Sequence, residues 1–125
     1  MDELYREVLL EHYRNPVHKG KLLKPDIHKE DSNPLCGDII EIFLRVDKDN
    51  KIIRASFEGK GCVISMASAD LLLEEIKGKT LDEVNKMTRE DILDLIGLNL
   101  THTRIKCAML GLTTIKKGIV EQKWY

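Results

Sequence analysis

Residues 38–62, DIIEIFLRVDKDNKIIRASFEGKGC, decide the fold. Ile40, Ile42, Leu44 and Val46 fall on one face of an extended segment while Glu41 and Arg45 alternate on the other, the period of two of a half-buried strand. Asp47 to Lys51 is a polar, hairpin-like turn, and Ile52 to Phe57 reads as a second strand running back along the first. Glu58-Gly59-Lys60-Gly61 then closes the β part. Two antiparallel strands are not stable alone, so residues 21–30 are the candidate for a third.

On the C-terminal side the pattern is helical. Helices are expected over 64–77, ended by Gly78; over 81–86, opened by Thr80 with Glu83 completing a capping box; over 89–96, opened by Thr88 with Asp91 and closed by Gly97; and over about 106–118. On the N-terminal side, Leu4, Tyr5, Val8 and Leu9 recur at helical spacing over 2–14, and Asn15-Pro16 ends that run. A polar, irregular connection follows to about residue 33. Strands first and helices afterwards give an α+β class: a small three-stranded antiparallel sheet with helices packed on one face. At 125 residues the chain suits one domain spanning 1–125.

Hydrophobic residues make up 42% and charged residues 33%, the balance of an ordinary globular chain. The 20 basic and 21 acidic residues are interspersed, so no basic stripe marks a nucleic-acid surface. Apolar runs are only a few residues long, far short of the roughly 20 that span a bilayer, so no membrane partner is expected. The acidic opening MDELYREVLLEHY is helical in pattern and unlike a signal peptide, and a cytoplasmic location is expected. Three cysteines, with no Cys-x-x-Cys pair among them, argue against a disulfide framework and against the usual zinc fingers. Any site they form is assembled from three distant places.

Asn33 to Asp38 is a turn leading into the first strand; Cys36 and Asp38 sit two apart at that entry, and if the segment is extended their side chains share a side. The bland alternative is a buried thiol beside a turn aspartate. Cys62 follows Gly-Lys-Gly and directly precedes a helix, where free backbone N–H groups and the dipole favour thiolate; otherwise it packs as a small apolar residue. Ser65 and Ser68 are nearby donors. Cys107, flanked by Arg104 and Lys106, is expected where the last helix begins, with a core cysteine as the alternative. All three cysteines therefore fall at element boundaries beside glycines or cations. Three thiolates with one carboxylate suit zinc or iron, whereas calcium and magnesium want oxygen shells. His12, His18 and His28 fit solvated or structural roles better than ligation, and His102 is the one histidine close enough in sequence to approach Cys107.

The segments Asn33-Pro-Leu-Cys-Gly-Asp38, Gly59-Lys-Gly-Cys-Val-Ile-Ser-Met-Ala-Ser68 and Arg104-Ile-Lys-Cys-Ala108 resemble the three cysteine motifs of the U-type iron–sulfur scaffold family. That family comprises IscU, SufU and the N-terminal part of NifU. His12-Tyr13-Arg14-Asn15-Pro16, followed by Gly20, resembles the family's opening, so the likeness runs the whole chain in order. The resemblance implies a SufE/NifU-like α+β fold with a metal site at its tip. By position, Cys36, Asp38, Cys62 and Cys107 match the ligands of a transient [2Fe-2S] cluster, of iron, or of zinc in the protein as isolated. Cys107 and Cys36 are the candidate sulfur acceptors, a cysteine desulfurase is the implied sulfur donor, and apoproteins are the implied recipients. Lys106 stands where IscU members have histidine, as in SufU-like members. The Pro-Pro-Val-Lys chaperone segment of IscU is missing, and so is the long SufU insertion. The resemblance implies a non-enzymatic scaffold first and a zinc-dependent sulfur relay second, with a structural zinc protein as the bland third. Whether the chain forms a homo-oligomer is left open.

Overall fold

The structure is a computed structural model that describes residues 2–34 and 37–123. Three strands, β1 (Ile27–Asn33), β2 (Asp38–Val46) and β3 (Ile52–Lys60), form an antiparallel meander in the order β1-β2-β3. Helix α1 (Asp2–Arg14) precedes them, and α2 (Val63–Ile76), α3 (Leu81–Asn85), α4 (Arg89–Ile96) and α5 (His102–Lys123) follow. Among the described residues no helix is long and apolar enough to cross a membrane.

The inward row of β2 carries Ile40, Ile42 and Leu44, all fully buried, and the register sets Gly59, Phe57 and Ala55 of β3 opposite them. Against this face lie Leu72, Leu73 and Ile76 of α2 and Leu112, Ile115 and Ile119 of α5. Burying such side chains is worth about 1.5–3 kcal/mol each, and this sheet–helix layer is the main source of stability. The expected caps form as read. Thr80 and Glu83 make a reciprocal capping box, Thr88 and Asp91 make another, and Gly97 ends α4 in the left-handed region at φ 73°.

Two expectations change. The third strand is Ile27–Asn33 rather than 21–30, and its sequence, IHKEDSN, is polar after the buried Ile27. The reason lies in α5: Lys29 pairs with Glu121 at 2.5 Å and Asp31 with Lys117 at 2.6 Å, so charged pairs join β1 to the helix where an apolar row would otherwise stand. The last helix starts at His102, about a turn earlier than 106, and runs to Lys123. Its opening residues are exposed and carry no apolar period; the Thr101 hydroxyl accepts from the Arg104 N–H at 3.4 Å. The turn expected ahead of β2 is present at Pro34 and Gly37: the Gly37 N–H donates to the Asn33 carbonyl at 2.9 Å, and Gly37 has φ 71°.

Candidate metal centre

Asp38 continues the inward row of β2 beyond Ile40, so the core's apolar row ends in a carboxylate that is 1% exposed. Two helices bring thiols to it. The strand-to-helix turn Gly59-Lys60-Gly61 sets Cys62 as the N-cap of α2 in an extended conformation, and the Cys62 N–H donates to Asp38 Oδ1 at 3.0 Å. From the other side, the second turn of α5 supplies Cys107. Single ligand atoms of Asp38, Cys62 and Cys107 all lie within 4.8 Å of one another. Metal–sulfur and metal–oxygen bonds of about 2.3 Å and 2.0–2.2 Å need only a small closing movement from that spacing. Two sulfurs and one oxygen suit zinc or iron, and the set takes one further ligand to complete a tetrahedron.

The surroundings of Cys62 act on its ionisation. Burial pushes the thiol up, but donation by the Ser65 amide and hydroxyl and by the Cys107 thiol outweighs burial and the opposing charge of Asp38. Cys62 is thus held below the ordinary thiol value, as expected of a thiol at a helix N-terminus. Its Sγ accepts from the Ser65 N–H at 3.4 Å and lies 3.6 Å from Ser65 Oγ and 3.9 Å from Asp38 Oδ2. Gly61 is the close-packing partner: a Cβ there would stand 2.6 Å from Asp38 Oδ1 and 2.5 Å from Ser65 Oγ.

Of the expected site residues, Asp38, Cys62 and Cys107 converge, while Cys36 lies outside the described residues. Cys107 is not at a helix start; it is 1% exposed inside α5 beside buried Ala108, and it serves the core as well as the centre. Arg104 and Lys106 are exposed. His102 is exposed at the start of α5 and is not part of the ligand group. Ser65 supports Cys62 as expected, but the buried Ser68 hydroxyl has no partner among the described residues.

One functional element goes unread in the sequence. Asp70 of α2, fully buried, accepts from His12 Nδ1 at 2.6 Å, from the His18 N–H at 2.8 Å and from the Val17 N–H at 3.2 Å. His18 Nε2 in turn meets Glu74 at 2.5 Å. This cluster ties α1 and the connection after it to the helix that begins at Cys62. The signal for it is a carboxylate set between Ala69 and Leu72 on the buried side of α2.

The family model for the NifU-like N-terminal domain matches residues 4–124. The zinc-dependent sulfurtransferase SufU of Bacillus subtilis is 36% identical over 140 residues, covering 98% of this chain and 94% of its own. The iron–sulfur cluster assembly scaffold protein IscU of Haemophilus influenzae is 32% identical over 127 residues, with 95% of each chain covered. In fold, the chain superposes with a TM-score of 0.78 on a nitrogen-fixing NifU-like protein (N-terminal) from Brucella abortus, at 20% identity, covering 98% of this chain and 96% of that one. With a match over nearly its full length and relatives above 30% identity, this chain belongs to the NifU-like N-terminal domain family, the family of IscU and SufU.

Proposed function

We propose that the chain is a scaffold on which a transient [2Fe-2S] cluster is built from iron and from sulfur supplied by a cysteine desulfurase, and from which the cluster passes to apoproteins. The observation that carries this reading is the convergence of Asp38, Cys62 and Cys107 from three separate elements. Cys36, one turn residue away from Asp38, is the proposed fourth ligand. The cluster is cargo, so the ligand set has to hold it and let it go. A carboxylate is a harder donor than thiolate and the weakest link to sulfide-bound iron, which favours release at Asp38. Scaffold relatives such as the H. influenzae IscU support the same reading.

A second reading has its own support. The B. subtilis relative is a zinc-dependent sulfurtransferase, and Lys106 before Cys107 matches the SufU-like pattern. On that reading the same residues hold zinc, and Cys107 or Cys36 takes sulfur from the desulfurase. The alignment with that relative is longer than this 125-residue chain, so at least 15 of its positions fall opposite gaps here, in line with the scaffold reading.

Anaerobic reconstitution with iron, cysteine and the cognate desulfurase, followed by visible absorption, separates the two. Cluster absorption bands, with transfer to an apo-ferredoxin, are the expected result. Stimulated desulfurase turnover with zinc retained and no bands would replace the scaffold by the relay.

A further inference from the structure

A groove of about 460 Å³ runs between the end of α1 and the end of β3. Arg14, Lys19 and Lys60 line it, one each from α1, from the connection after it and from β3; Tyr13 stands on its wall and Phe57 contributes to its floor. Among the described residues no Asp or Glu lines it. All three cations are exposed, and none is in a salt bridge among the described residues. His12 also lines the groove, but its Nδ1 is already bonded to Asp70. The chain's net charge is −1, so this concentration of positive charge is local.

The groove reaches the residue next to the candidate centre, although Asp38, Cys62 and Cys107 do not themselves line it. Gly61 lines it, precedes Cys62, and leaves the Asp38 carboxylate within 2.6 Å of where a Cβ would stand. Exposed, unpaired cations around a half-exposed tyrosine (42%) make a surface that attracts and orients an oppositely charged partner. Sulfur passes from thiol to thiol only at bonding distance, so a protein delivering it has to dock beside Cys62 and Cys107. We propose that this groove docks an acidic segment of the cysteine desulfurase, holding that partner over the centre; the inference rests on the sulfur-receiving reading above.

The test compares the zinc-loaded protein with its Arg14→Glu/Lys19→Glu/Lys60→Glu variant for binding to the cognate desulfurase by biolayer interferometry. A control variant, Lys48→Glu/Lys51→Glu/Lys86→Glu, makes the same change in net charge at exposed positions; Lys48 and Lys51 lie at the turn at the far end of the sheet. The groove variant is expected to bind about tenfold more weakly at about 50 mM salt, with the gap shrinking by about 200 mM and the control within about twofold of the parent. Zinc content and melting temperature check that the fold is kept; should the glutamates unfold it, Arg14→Gln/Lys19→Gln/Lys60→Gln is expected to show the same order with a smaller loss. Equal binding by parent and groove variant, or equal losses in groove and control variants, overturns the proposal. Unchanged desulfurase binding with slowed cluster transfer to apo-ferredoxin overturns it in favour of an acceptor-docking groove. A parent that binds no desulfurase at either salt concentration overturns the sulfur-receiving reading itself, and the groove proposal with it.

Discussion

At the scale of single residues, the centre depends on one position without a side chain and one carboxylate. Gly61 leaves the space that the Asp38 carboxylate and the Ser65 hydroxyl occupy. Gly61→Ala should push both aside while leaving the core untouched, lowering zinc affinity about tenfold, as for lost support of other metal ligands. Competition with a chromophoric chelator would measure this, and unchanged affinity would mean that the carboxylate is not a ligand. Asp38 itself does two things: its Oδ1 accepts the Cys62 N–H, and it is the proposed releasing ligand. Asp38→Ala should therefore lose about 1 kcal/mol of stability for the hydrogen bond. It should also hold a reconstituted cluster longer and transfer it to apo-ferredoxin more slowly, with Asp38→Cys going further in that direction. Cluster decay and melting temperature on both variants separate the effects; a lifetime unchanged or shortened in both would leave Asp38 as a turn residue only.

At the scale of elements, a helix end shows which contacts set positions. Gly97 closes α4 with φ 73°, and a Cβ there would stand 2.4 Å from the Tyr5 ring of α1. Gly78, also left-handed at φ 85°, faces open space. Gly78→Ala should then cost about 1 kcal/mol from backbone strain alone, and Gly97→Ala clearly more, because α1 has to move as well. Urea denaturation of the two variants measures the difference, and equal costs would show that Tyr5 gives way freely. The elements also differ in how readable they were. The short helices α3 and α4 were legible because capping is local chemistry written within four residues, as in Thr80–Glu83 and Thr88–Asp91. Strand β1 was not, because Ile27 is the one apolar residue of its inward row, and Lys29 and Asp31 form ion pairs to a helix some ninety residues later in the chain. The start of α5 is hard to read for a related reason: His102, Thr103 and Arg104 are exposed and show no apolar period.

At the scale of the whole molecule, the attachment of α1 is the feature on which the shape of the centre's surroundings depends. Only Leu9 of its apolar positions is deeply buried, while Leu4 and Val8 remain 67% and 41% exposed. The hydrophobic stripe read in the sequence therefore does not by itself fasten the helix. The Asp70 cluster does much of that work, joining His12, Val17 and His18 to α2. Asp70→Ala would strand the buried His18 N–H, worth about 1–3 kcal/mol, and remove the acceptor of the part-buried Val17 N–H and His12 ring. The expected outcome is a loss of about 3 kcal/mol or more in urea denaturation, with faster limited proteolysis between residues 14 and 27. A variant as stable and as protease-resistant as the parent would show that apolar packing alone holds α1.

The sequence by itself determined the class of the fold, the β2–β3 hairpin, the capped helices and the residue types of the centre, since alternation, capping and turn chemistry act between near neighbours. It also placed Cys62 at the N-cap of α2, where the chain's own local geometry makes the thiol acidic. Tertiary structure alone decided which residues meet. The inward row of β2 ends at Asp38 just where α2 begins and the second turn of α5 passes, and that crossing gathers a carboxylate and two thiols within 4.8 Å. Tertiary structure decided likewise that Cys107 is a core residue, that Asp70 is a clasp and that Arg14, Lys19 and Lys60 share one groove. Each of these depends on the packing of segments far apart in the chain, and no local pattern carries that information.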